Sequence, residues 1–175
     1  MTGQLKRVTT EYINFEDRIR LNGLTPNGTV SVWLTQRLCN NLVKNLIAWL
    51  EKTMSEMPDI LQHNMQSFAQ QRAHCSQQQQ AASEQPVRPD NEINKHKSWL
   101  AFSISLQTAP HAVRLIISDL AETESIEFSM EARQLRQWLN ILYKGYSQAN
   151  WPDDMWPSWM IASSENTLPN EQAVH

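Results

Sequence analysis

Glycine is scarce, with four in 175 residues. So few leave no room for a glycine-rich phosphate loop or for a fold dominated by loops. Cysteine is scarcer still: Cys39 and Cys75 cannot build a disulfide framework, and Cys39 falls in an apolar helical stretch that reads as a buried thiol in a reducing compartment. Basic charge is not in excess. Against 15 Lys and Arg stand 18 Asp and Glu, a formal net charge of −3, whereas a nucleic-acid binder carries a basic excess or a basic patch. Long apolar runs are missing too. The most apolar stretch, Leu42 to Leu50, contains Lys44 and Asn45 and is too short to span a bilayer. The opening residues Met-Thr-Gly-Gln-Leu-Lys-Arg-Val hold no signal-peptide apolar segment. The expectation is a cytoplasmic protein with neither a membrane nor a nucleic acid as partner.

Catalytic signatures are also wanting. His63 and His74 share a helix face but stand eleven residues apart, about 16 Å along the axis, too far to hold one metal. Cys75, His96 and His111 lie in or near a polar, glutamine-rich stretch and read as solvated. Glu16 and Asp17 are strand neighbours and point to opposite faces. Asp153 and Asp154 follow Trp151-Pro152, where acids suit a helix first turn. Asp119, Glu122 and Glu124 gather round a turn. None of these carboxylates has an apolar pocket in its sequence surroundings to tune it for proton transfer, and no nucleophile elbow occurs. The chain reads as non-enzymatic, with no metal or other cofactor implied.

What is present is globular: 41% hydrophobic and 19% charged residues, enough chain for one core without disulfide or metal support. Val8, Thr9, Thr10, Tyr12 and Ile13 indicate a strand over 5–13. Phe15, Ile19 and Leu21 form the inner face of a second strand, opposite Glu16, Arg18 and Arg20. Thr25-Pro26-Asn27-Gly28 is a turn, since proline presets φ and Asn-Gly accepts positive φ. Val30, Val32 and Leu34 line a third strand. Thr35 caps a helix over 36–55 whose stripe runs from Leu38 to Leu50. After Pro58, Leu61, Met65 and Phe68 at helical spacing indicate a weaker helix to about Cys75. The glutamine-rich run after Cys75 has little to bury and reads as a linker. Trp99 to Leu106 resumes strand alternation, with Leu100, Phe102, Ile104 and Leu106 on one face. Val113, Leu115 and Ile117 line the next strand, and Ile126 and Phe128 the one after. Ser129 caps a last helix over 130–148 with Leu135, Trp138, Leu139, Leu142, Tyr143 and Tyr146 as its stripe.

The halves echo each other at a separation of 94 residues. Arg20-Leu21 aligns with Arg114-Leu115, Thr29 and Ser31 with Thr123 and Ser125, and Leu34 with Phe128. The implied fold class is α+β: an antiparallel sheet or sandwich from a duplicated βββα unit, with a helical insertion between the halves and a C-terminal helix. One domain then covers 1–160: a first half over 5–57, an insertion over 58–96, a second half over 97–149 and a tryptophan-rich segment over 150–160. A flexible tail follows over 161–175. Neither three-stranded unit has enough core to stand alone. This order of strands, inserted helices, strands and terminal helix resembles the head domains of DNA end-joining scaffold proteins and centriolar assembly proteins. That resemblance implies a dimer joined through the terminal helix, although the helix here stops near Asn150 instead of continuing as a coiled coil.

Seven tryptophans are the most specific feature. Trp49 and Trp138 fall in helix stripes. Trp33 and Trp99 each alternate with an apolar neighbour and so read as lying on the outer sheet face. Trp151, Trp156 and Trp159 crowd a short segment with Met155 and Met160. Tryptophan is favoured at interface hot spots, which makes Trp33, Trp99, Trp151, Trp156 and Trp159 candidates for binding a partner or ligand. The functional expectation is an interaction or assembly protein that self-associates, as a homodimer or with another protein. The alternative is a small-molecule-binding protein, or an enzyme of unrecognised type, with a pocket beside the aromatic face.

Overall fold

In the computed structural model, which describes residues 2–81, 85–90 and 96–165, the alternating apolar segments become eight strands in two four-stranded sheets. One sheet is β1 (Thr2–Gln4), β8 (Ser125–Glu131), β7 (Ala112–Ser118) and β6 (Ser103–Thr108), in that order. The other is β2 (Arg7–Ile13), β3 (Arg18–Thr25), β4 (Gly28–Leu34) and β5 (His96–Leu100). Each sheet is an antiparallel three-strand meander with one parallel strand added by the other half of the chain: β1 runs beside β8, and β5 beside β4. The architecture is therefore α+β with two mixed sheets.

The two exchanges are built alike. The chain leaves one sheet at β1 and enters the other at β2, with the Leu5 N–H donating to Glu127 O and the Lys6 N–H to Leu24 O. It crosses back between β5 and β6, with the Ala101 N–H donating to Trp33 O and the Phe102 N–H to Ser118 O. Strands that switch sheets in this way form the corners of a sandwich. Leu5 turns inward at its corner and lies on Gly23, where an added Cβ would sit 2.6 Å from a Leu5 methyl carbon. A larger residue there would force the Leu5 side chain to shift. The second corner explains a departure from the expected single strand over 99–106. The inward residue is Ala101, while Leu100 and Phe102 are exposed.

Two inner faces match the alternation read from the sequence: Val30, Val32 and Leu34, and Val113, Leu115 and Ile117, are all buried. The hairpin between β3 and β4 closes on Pro26-Asn27, with Gly28 at φ 129°. Phe15 departs from expectation. Asn14–Glu16 form a 3-10 turn closed by Asp17 in the left-handed region, which leaves Phe15 86% exposed.

Helix α1 (Gln36–Lys52) is capped by Thr35 as expected, its hydroxyl accepting from the Leu38 N–H at 3.4 Å. It buries Cys39, Leu42, Val43, Leu46, Ile47, Trp49 and Leu50. Helix α2 (Asp59–Ala81) runs six residues beyond the expected end. Helix α3 (Ala132–Ala149) starts later than expected: β8 continues through a buried Met130, so Glu131 and not Ser129 is the cap, in a capping box with Gln134. Asn150 in the left-handed region ends α3, and α4 (Ser158–Glu165) follows.

The stretch expected as a linker is divided. Residues 76–81 belong to α2, and 85–90 lie on the outer face of the second sheet. There the Val87 N–H donates to Thr9 Oγ1 at 2.8 Å and the Asp90 N–H to Thr29 Oγ1 at 2.9 Å. Residues 82–84 and 91–95 of that linker, and 166–175 of the expected tail, fall outside the described residues.

Candidate functional surface

The three C-terminal tryptophans are packed within the chain. Trp151, Trp156 and Trp159 are each less than a tenth exposed. Trp151 lies edge-on to Tyr12 and Tyr146 and donates to Asp17 Oδ1 at 2.8 Å. Trp156 meets Tyr143 and Tyr146 edge-on. Trp159 donates to Glu51 Oε1 at 3.3 Å and carries the Arg136 guanidinium 5.2 Å above its ring. Such T-shaped contacts add to the large apolar area that each ring buries. The hydroxyl of Tyr146, donating to Asn40, is so desolvated that its pKa is pushed upward. Burial likewise raises the Cys39 thiol to about 12, which makes it inert.

Trp33 and Trp99 are half-buried, and they face opposite ways. Trp33 lies on the outer sheet face as expected, donating to Ser98 Oγ at 2.9 Å beneath the Arg20 guanidinium. Arg20 itself makes two contacts, at 3.1 and 2.8 Å, with one Glu11 oxygen that also accepts from Asn22. Trp99 does not share that face. It pairs in register with Val32, packs on the core, and lines an open cleft of about 470 Å³ with Lys97 and Glu124, which form an ion pair of 2.5 Å.

Helix α2 carries the surface that sequence reasoning missed. An amphipathic helix ordinarily turns its apolar stripe inward. On α2, Ile60, Asn64, Phe68 and Arg72 form one row at four-residue spacing with Leu61 and Met65 beside it, and all six are exposed; Ile60 is 80% and Phe68 55% accessible. The opposite row is polar and buried: Gln66, Gln70 and His74 are each less than a twentieth exposed. They meet two buried polar residues of α3, Arg136 and Asn140.

The hydrogen bonds explain how such an arrangement holds, since buried polar groups need partners. The Gln66 amide donates to Leu50 O at 2.9 Å, and its Oε1 accepts from Arg136. Gln70 donates to Arg136 O at 3.1 Å, and Gln137 to Ala73 O at 3.2 Å. Asn140 Nδ2 lies 2.9 Å from His74 Nδ1 and 3.2 Å from Gln77 Oε1. Burial, with the Lys144 charge adding, lowers the pKa of His74, so its neutral form is favoured.

No family model, curated protein or solved structure matches this chain. The resemblance to end-joining and centriolar head domains therefore rests on the order of elements alone. Among the described residues no three His, Cys, Asp or Glu side chains are grouped to hold a metal ion. No helix among them is long and apolar enough to cross a membrane.

The exposed stripe on α2 could have been located in the sequence. Residues 57–68 hold Met57, Ile60, Leu61, Met65 and Phe68. The row Gln66, Gln70, His74 reads in sequence as a solvated face; only its contacts with Arg136 and Asn140 show that it is the buried one.

Proposed function

We propose that this protein is a non-enzymatic assembly protein that forms a homodimer through the exposed apolar face of α2. The observation that carries this reading is the inversion of that helix, with glutamines and a histidine buried and Ile60, Leu61, Met65 and Phe68 in solvent. A contiguous exposed apolar patch marks an interaction site. The stripe is self-complementary, one apolar row against its equivalent, which favours a second copy as the occupant. Two α2 helices can cross antiparallel about a point between Met65 and Gln66, related by a two-fold axis. The apolar rows meet between them, as an isologous interface requires.

The like order of elements in the two halves, added to the echo at 94 residues, supports a duplicated unit. Among the described residues the second half has only the short α4 where the first has the long α2, so the proposed assembly surface belongs to one half. Two free cysteines, one of them buried, suit a cytoplasmic setting.

The test is the mass of the full chain by light scattering, beside that of Phe68→Glu and Ile60→Glu. The parent is expected at twice the chain mass, and both variants at the chain mass with unchanged circular dichroism. A monomeric parent at high micromolar concentration overturns the reading.

A further inference from the structure

A cleft of about 450 Å³ opens where the end of α1, the middle of α2 and the first turn of α3 meet. Three arginines line it, Arg72, Arg133 and Arg136, together with the hydroxyl residues Thr53 and Ser76. The rest of the lining is apolar and small apart from Met54, and no Asp or Glu is among it. In a chain of net charge −3 this is a concentration of one sign without its counter-charge.

Arg136 makes the point sharpest. Its side chain is 3% exposed, and none of the ion pairs among the described residues includes it. Its guanidinium reaches Gln66 O at 3.4 Å, Gln66 Oε1, and the face of Trp159, all of them neutral. Desolvation lowers its pKa to about 10. A buried cation costs several kcal/mol unless an anion answers it. Acids near the cleft are otherwise engaged. Glu131 accepts from the Gln134 N–H as the α3 cap, and Glu51 accepts from Trp159 Nε1. Arg133, one turn before Arg136 on α3, is exposed and has no carboxylate partner among the described residues.

We propose that this cleft binds a small anion, a carboxylate or a phosphate, gripped by Arg133 and Arg136 with Arg72 beside them. Guanidinium groups match both anions through paired N–H donors. The apolar floor of Met54, Ala69, Ala73 and Ala132 suits a ligand with a short hydrocarbon part. Arg133 and Arg136 belong to α3 and not to the assembly face of α2, so substitutions there probe the anion site without touching that face.

The full chain is titrated with inorganic phosphate and, separately, with hexanoate, at matched ionic strength against sodium chloride, with binding read by calorimetry and by the melting temperature. At least one anion is expected to saturate with a rise in melting temperature. Phosphate alone would identify a phosphate ligand, and tighter hexanoate a carboxylate with an apolar tail. Arg133→Gln is expected to weaken binding at least tenfold while its light-scattering mass equals the parent's, so that loss of the anion site and loss of assembly are read apart. Arg136→Met provides the second check, because a buried cation kept only for structure can be replaced by an apolar side chain without loss. The proposal is overturned if neither anion saturates beyond the chloride control, or if Arg133→Gln or Arg136→Met binds as the parent does.

Discussion

Helices α2 and α3 lie against each other, yet they are built in opposite senses. α3 turns Leu135, Leu139, Leu142 and Tyr146 into the core and shows Arg133 and Lys144 to solvent. α2 turns glutamines and His74 toward α3 and leaves Ile60, Leu61, Met65 and Phe68 outside. The first is held by area removed from water, which is non-directional. The second is held by hydrogen bonds of defined geometry, each contributing little net but costing more when one partner is lost. The contrast separates two tasks: α3 stabilises the fold, while α2 is positioned so that its apolar face stays available.

The contrast can be broken at several points. The largest effect belongs to α3. Leu139→Ala is expected to cost about 2–5 kcal/mol by chemical denaturation, the usual range for a fully buried leucine; a much smaller loss would mean that the α3 stripe is not the core it resembles. Next comes the polar seat of α2. Gln66→Ala removes the side-chain acceptor of Arg136 and is expected to cost about 1.5–3 kcal/mol, as for a hydrogen bond to a charged group.

His74 gives the same seat a pH dependence of known sign. Its pKa in the folded chain is below the ordinary 6.5, so on acidification the unfolded chain takes up the proton first. Stability from this group is complete above about pH 6.5 and falls as pH drops below it, down to the folded pKa. His74→Gln should flatten that part of the stability profile, and an unaltered profile would place the dependence elsewhere.

Smaller still is the effect of the outer face on the fold itself. Phe68→Ser should abolish the proposed dimer, and at concentrations where the parent is monomeric it should change the unfolding free energy by no more than about 0.5 kcal/mol, as for an exposed position. A large loss of monomer stability would show that the stripe serves the fold. Finally, Cys75 is exposed and Cys39 buried, so a thiol-reactive spin label enters at Cys75 alone. Antiparallel α2 pairing places two such labels about 28 Å apart along the helix axis, at 1.5 Å per residue. Labels within about 10 Å, the distance between neighbouring helix axes, would indicate parallel pairing instead.

Much of this frame is legible in the sequence because most strands follow a single alternation. Val30-Val32-Leu34 and Val113-Leu115-Ile117 each bury one face, and period two reveals it. Thr35 and the helix after it are equally plain. Legibility fails where the structure depends on partners remote in sequence. The expected strand over 99–106 breaks at Ala101 because its two ends belong to different sheets, paired with β4 and β7. Ser129 is a good cap by residue type, but Met130 is needed as an inward strand residue, which delays the helix to Glu131. Trp99 reads as outward only if its neighbour Leu100 points inward, and the pairing with Val32 reverses both. For the tryptophan segment, composition alone could not separate core from interface; the edge-on contacts with Tyr12, Tyr143 and Tyr146 place it inside.

The exchange of lead strands between the sheets has a consequence for synthesis. β1 precedes the other described strands, yet its partner strand begins with Ser125, so its pairing waits for about 120 further residues, an ordering cost typical of non-local topologies. The other sheet waits less long: β5, the partner of β4, begins at His96. Closure of the sheet that holds β1 is therefore expected late in folding, when an early strand meets one made much later.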